Sequence, residues 1–251
     1  MNFPDVDPKF KKWALSYSGC DGGNIAGTIW FCGIEFGGNE SFDFSAIPEP
    51  PYVSDEQRKK FFGYQYNIKV AKLYAAICGE AQVAARDKDK YKDELFAKDS
   101  ITFKMNLYPI SFHDVSDDLW QEEVYRKTGL PTKSMYRAWC QINRFPVIRQ
   151  WVKERSPRLI VCTGITCKNE FIMAFDDVKT IYEVEKLNKK KVSGRDLVWI
   201  DINEGKTILA ITPFLGGRYG LNSDELLKNF GKEISDICKK KFNKDNWYKP
   251  E

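Results

Sequence analysis

The sequence predicts an α/β protein: one domain over residues 1–251, a three-layer α/β/α sandwich around a mainly parallel sheet. Two observations carry that expectation. Apolar runs without helical period, such as Ile29-Trp30-Phe31-Cys32 and Leu159-Ile160-Val161-Cys162, read as strands buried on both faces. They alternate along the chain with segments of 3.6-residue period, the pattern of a parallel sheet covered by helices. Hydrophobic residues are 43 % and charged residues 29 % of the chain, enough apolar mass for a core without disulfide staples.

Taken in order, residues 24–34 read as the first strand. Before it, Ser18-Gly19-Cys20-Asp21-Gly22-Gly23 reads as a tight structural turn; after it come Gly37-Gly38. Pro48, Pro50 and Pro51 make 46–52 an extended loop. A helix over 55–78 follows, with the stripe Phe61, Phe62, Tyr66, Val70, Leu73, Tyr74 and Ile77, and Gly79 placed as its C-terminal glycine. Residues 81–98 are charged and read as a surface helix. Residues 101–107 form a second strand that Pro109 stops. Residues 116–130 look like an insertion. The helical region 134–155 contains Pro146, which implies a kink or a fresh start. Leu159 to Gly164 is the third strand, with a helix at 166–174. Strands at 197–202 and 207–211 are joined by the turn Asn203-Glu204-Gly205-Lys206. A last helix, 223–240, shows the stripe Leu226, Leu227, Phe230, Ile234 and Ile237.

The net charge of +4, from 39 basic and 35 acidic residues, is compatible with nucleic acid without demanding it. Lys189-Lys190-Lys191 and Lys239-Lys240-Lys241 read as solvated loops or helix ends rather than phosphate clamps. The seven cysteines form no CxxC and His113 is the one histidine, so zinc and iron–sulfur sites are poorly matched and no metal or organic cofactor is implied. The first residues show no basic-then-apolar leader pattern, and no stretch approaches the ~20 apolar residues of a membrane span. The expectation is a cytoplasmic monomer with free thiols and no membrane partner.

Three polar segments follow strands: Gly33-Ile34-Glu35-Phe36-Gly37-Gly38, Asn106-Leu107-Tyr108-Pro109, and Thr212-Pro213-Phe214 running into Leu215 to Gly220. In open parallel sheets ligands bind beyond the carboxyl ends of the strands, so these segments converge on one expected site.

At these residues the chain resembles the uracil-DNA glycosylase superfamily. Ile29 to Gly37 looks like the first motif, an apolar strand running into Gly-x-(Asp/Asn)-Pro-(Tyr/Gly); the mismatch-specific branch has Gly-Ile-Asn-Pro-Gly there. Here Glu35 replaces the Asn or Asp, and Phe36 replaces the Pro. Met105 to Pro109 is similar to the strand whose terminal Asn reads the flipped base. Leu159 to Gly164 with its helix matches a structural strand–helix pair. Thr212-Pro213-Phe214 looks like the second motif, (His/Asn)-Pro-Ser, whose following loop enters the DNA minor groove. The order holds over residues 25–235.

The resemblance implies hydrolysis of the N-glycosidic bond of a modified or deaminated base flipped from single- or double-stranded DNA. The alternative is an inactive member that binds nucleic acid or a nucleotide. Glu35 would stabilise the oxocarbenium-like sugar and activate water; as a structural residue it would cap the amides of its own glycine turn. Asn106, with donor and acceptor, would pair with a pyrimidine edge. Gly33, Ile34, Phe36, Gly37, Thr212 and Pro213 would complete the pocket. Phe42, Phe44 and Tyr64 are candidates to stack on the base, and His113 could replace the missing motif His. In the loop 215–221, Arg218 would contact a phosphate, and Tyr219 or Leu221 would wedge into the vacated stack; as structural residues the leucines would be buried anchors. An unrelated α/β hydrolase fits less well, because there is no Gly-x-Ser-x-Gly elbow.

Overall fold

The computed structural model describes residues 5–35, 37, 43–49, 55–79, 94–112, 116–177, 179, 182 and 186–250. Phe36, Gly38, Phe42, His113 and most of the helix expected over 81–98 lie outside the described residues.

The chain runs α1 (Pro8–Ala14), β1 (Cys20–Gly23), β2 (Ile29–Gly33), α2 (Asp55–Phe61), α3 (Gln65–Ile77), β3 (Thr102–Asn106), α4 (Glu122–Thr128) and α5 (Lys133–Arg155). It continues through β4 (Leu159–Thr163), α6 (Lys168–Phe175), β5 (Asn188–Val192), β6 (Arg195–Ile202), β7 (Thr207–Thr212) and α7 (Asp224–Phe242). The strands form one seven-stranded sheet in the order β1-β3-β2-β4-β7-β6-β5.

The sheet is mixed, which corrects the expectation of a mainly parallel one. Pairings β3–β2, β2–β4 and β4–β7 are parallel, whereas β1–β3, β7–β6 and β6–β5 are antiparallel. The reason is connection length. Ser193 and Gly194, both at positive φ, join β5 to β6, and a two-residue hairpin can only return antiparallel. The short turn Asn203–Gly205 does the same between β6 and β7. The four parallel strands are those whose connections carry helices.

Side chains alternate across the sheet and bury two separate clusters. Trp30, Cys32, Phe103, Met105, Ile160 and Cys162 pack against residues of α1, α4, α5 and α6. Ile29, Phe31, Leu159, Val161, Ile208 and Ala210 pack against α3 and α7. These two helices approach closely at Gly231, where a Cβ would lie 2.4 Å from the Ala76 Cβ.

Other sequence expectations change in detail. The helix over 55–78 is two helices, broken at Phe62-Gly63-Tyr64. Pro146 lies inside a continuous α5, whose start is fixed by the Thr132 hydroxyl accepting from Met135 N at 3.1 Å. Lys189-Lys190-Lys191 is neither loop nor helix end. It forms most of edge strand β5, its ammonium groups paired with Asp196 and Glu233. Charged side chains on an edge strand discourage further strand addition. Among the described residues no helix is long and apolar enough to cross a membrane.

Candidate functional site

The carboxyl ends of β3, β2, β4 and β7 lie side by side. Gly33 is opposite Asn106, Cys32 opposite Cys162, and Thr163 opposite Thr212. From β2 the chain steps to β3 on one side and then crosses back to β4 on the other, the arrangement that opens a crevice at strand ends. Two-residue alternation puts Lys104 and Asn106 on the side of β3 that faces α3, and Thr163 and Thr212 likewise on β4 and β7. Tyr66, in the first turn of α3, meets them. Its hydroxyl is 2.8 Å from Thr163 Oγ1, and Lys104 Nζ stands 5.3 Å from its ring centre. Burial pushes the Tyr66 hydroxyl well up, so it stays protonated.

Asn106 is buried, and its Nδ2 donates to Asp21 Oδ2 at 3.3 Å. The same carboxylate oxygen is 2.5 Å from Lys104 Nζ. Burial pushes the Asp21 carboxyl up; Lys104 and then Asn106 pull it back down without cancelling the effect. Asp21 comes from the glycine-rich segment expected to be only a turn. That segment is instead β1, with an irregular step: Cys20 pairs with Met105 and Gly22 with Lys104, leaving Asp21 as the extra residue of a bulge.

Glu35 lies two residues beyond β2, on the α5 side of the sheet, whereas Lys104 and Asn106 are on the α3 side; the three segments expected to converge meet at neighbouring strand ends but not on one face. Its side chain is 4 % exposed. Arg137 donates to Oε1 at 3.0 Å. Lys133 Nζ is 3.0 Å from Oε2, an ion-pair distance off hydrogen-bond alignment, and among the described residues Oε2 has no hydrogen-bond donor. Lys133 itself is buried under the Phe112 ring at 4.3 Å. Glu35 therefore balances two cations of α5. Ile34 closes the segment through its carbonyl, which accepts from Tyr108 N at 2.9 Å. Gly37 is exposed, with open space where a Cβ would stand.

Thr212 and Pro213 are buried at the end of β7. The Thr212 hydroxyl donates back to the carbonyls of Cys162 and Pro213, at 3.2 and 3.0 Å, so it faces main chain rather than a crevice. Beyond it, Phe214 is 54 % exposed and stacks on Tyr66, ring centres 5.9 Å apart. Arg218 and Tyr219 are exposed, with the guanidinium 5.7 Å from the Tyr219 ring. Leu221 is fully buried in the α3/α7 cluster, which corrects its assignment as a wedge: a side chain already in the core has nothing to insert. Phe44 is likewise core, packed on Phe10 and Trp13 rather than offered to a base. Tyr64 is exposed just before α3.

Asp21, Lys104, Tyr66 and Thr163 are site residues that sequence reasoning missed. The available signal was Lys104, a cation inside a strand buried along its whole length, which demands a buried carboxylate. Among the described residues no three His, Cys, Asp or Glu side chains gather as a metal site. Comparison with family models, curated proteins and solved structures found no match to this chain.

Proposed function

We propose that this chain is a uracil-DNA glycosylase-like protein. It takes a modified or deaminated base, flipped out of DNA, onto the strand-end site and hydrolyses its N-glycosidic bond. One observation carries the reading: the buried amide of Asn106 at the end of β3, beside a glycine at the end of β2. An amide in that position has one acceptor and one donor, the pair needed to read a base edge. Helices on both faces of a four-stranded parallel core support the three-layer architecture that goes with this reading. In the reaction the departing base takes the bonding electrons and the sugar becomes cationic. Glu35, anchored by Lys133 and Arg137, supplies a fixed negative charge near the strand ends; Asn106 orients the base. Exposed Arg218 and Tyr219 lie on the loop that would meet DNA. The chemistry calls for no metal or organic cofactor, and the chain would work as a cytoplasmic monomer.

A second reading, an inactive member that binds nucleic acid or a nucleotide, is favoured by two contacts. Both oxygens of Glu35 already face cations, and the Thr212 hydroxyl is turned onto main chain. The test is a screen of single- and double-stranded oligonucleotides, each with one altered base, scored for abasic sites and for binding. Base release from at least one substrate supports the enzyme. Binding without release supports the second reading, and neither binding nor release overturns both.

A further inference from the structure

The bulge in β1 turns one carboxylate toward the Asn106 amide. Cys20 and Gly22 take consecutive places opposite Met105 and Lys104, so Asp21 is squeezed out of the ladder, and its side chain is 8 % exposed. Positive φ values at Gly22 and Gly23, 129° and 89°, permit this course, and a Cβ on Gly23 would strike the Thr102 carbonyl at 2.3 Å. Bulges re-aim side chains, and this one aims Asp21 at two partners. Lys104 Nζ and Asn106 Nδ2 both approach Oδ2, at 2.5 and 3.3 Å.

A buried amide has two flips of nearly equal shape, and its surroundings decide between them. An oxygen that already receives an ammonium group is an acceptor, so only Nδ2 can face it; the reversed amide would set oxygen against oxygen. On the other side, Oδ1 lies over Gly33, 2.4 Å from the place of an absent Cβ, and has no protein donor among the described residues. The amide is thus held with its acceptor toward the strand ends.

We infer that Asp21 is a positioning residue: with Lys104 it locks the Asn106 amide so that Oδ1 selects a base edge presenting a ring N–H donor. This rests on the base-binding reading above. A ring nitrogen that is itself an acceptor would face Oδ1 lone pair to lone pair, and an unpaired polar contact in a buried site is strongly rejected. Gly33 is part of the same device, because any side chain there would cover Oδ1.

The test has two arms. In the first, the Asn106 amide protons are assigned by their loss in Asn106→Asp, and their exchange with solvent is followed by NMR. One of the two is expected to exchange slowly in the unmodified chain and fast in Asp21→Ala/Lys104→Met. That double variant removes both charges and so avoids leaving Lys104 buried alone; its melting is recorded alongside. In the second arm, anisotropy measures binding to short single strands that differ only in one deoxyuridine or deoxycytidine. The unmodified chain is expected to prefer deoxyuridine by roughly tenfold, and the double variant to lose that preference. Equal, unprotected exchange of both amide protons in the unmodified chain overturns the assignment, as does an undiminished preference in the folded double variant. A protected amide in a chain that binds neither strand overturns the base-binding reading and leaves the Asp21–Asn106 lock standing.

Discussion

Gly33 and Asn106 are partners on the last rung of the parallel β2–β3 ladder, and the Asn106 Oδ1 lies 2.4 Å from where a Gly33 Cβ would stand. Gly33 is not among the residues at positive φ, so its backbone does not require glycine. The neighbouring amide does. The sequence shows a strand that ends in glycine and another that ends in asparagine; the structure makes them one feature.

Gly33→Ala is expected to destabilise the fold by about 1–3 kcal/mol, the usual cost of overpacking, less the small gain alanine brings by stiffening the unfolded chain. Most of that loss should vanish in an Asn106→Ala background, where the amide is gone. Urea unfolding of the four proteins gives the coupling. An equal penalty in both backgrounds would mean that Gly33 is fixed by something other than Asn106.

Glu35→Gln leaves Lys133 buried beside a neutral amide. Removing one member of a buried pair costs roughly 3 kcal/mol or more, so a clear drop in melting temperature is expected, with partial recovery in Glu35→Gln/Lys133→Met. Assayed at a temperature where both proteins are folded, base release is expected to fall on the order of 100-fold. A variant that melts and turns over like the parent removes Glu35 from both roles.

Asp21 gives a pH signature. Burial raises its carboxyl above the ordinary value of 3.8, outweighing Lys104. A group with a raised native value binds its proton more readily folded than unfolded. Its contribution is therefore fully present below the unfolded value and is lost as pH rises through the native one. Of the groups around it, the Cys20 thiol, pushed up to about 12, and the Tyr66 hydroxyl stay neutral across this window. The stability of the parent, measured relative to Asp21→Ala/Lys104→Met, is expected to improve as pH falls from neutral toward about 4. A difference that is flat or worsens over that range would show that Lys104 outweighs burial.

Parallel strands β2, β4 and β7 and their polar ends were legible because each is a short apolar run, buried on both faces, that stops at a residue of different chemistry; β3 was legible from its apolar residues Ile101, Phe103, Met105 and Leu107 and the stop at Pro109. Glu35, Asn106 and Thr212 follow from that pattern alone. β1 and β5 were not legible, for opposite reasons. Cys-Asp-Gly-Gly contains no good strand former and owes its pairing to β3; Asn-Lys-Lys-Lys-Val is charged because it is an edge. Losing β1 from view meant losing Asp21. Leu221 was misread because a leucine after a glycine loop looks the same in sequence whether it points into the core or out of it.

Arg218 is expected to act on DNA without supporting the fold. Its guanidinium is exposed, and its carbonyl is reached by Arg195 at 3.4 Å, a contact that truncating the side chain preserves. Arg218→Ala should leave melting unchanged and weaken binding alike for all sequences. It should also lower the slope of log affinity against log salt by about 1, the release of one counterion. An unchanged slope would remove Arg218 from the DNA interface.

Leu221 and Tyr219 are expected to part company under the same two measurements. Leu221 is fully buried, and its amide donates to the Phe214 carbonyl at 2.8 Å, closing the loop against the core. The closure is tight: a Cβ on Gly220 would lie 1.9 Å from the Gly216 carbonyl oxygen. Leu221→Ala should therefore cost about 2–4 kcal/mol of stability, as buried leucines do, while the ratio of duplex to single-strand binding stays put. Tyr219 is 81 % exposed at the tip of the same loop and is free to insert into a base stack. Tyr219→Ala should leave melting alone and lower that ratio, because flipping from a duplex requires unstacking that single strands largely avoid. A duplex-specific loss in Leu221→Ala without a change in melting would reverse the assignment and return the wedge to Leu221.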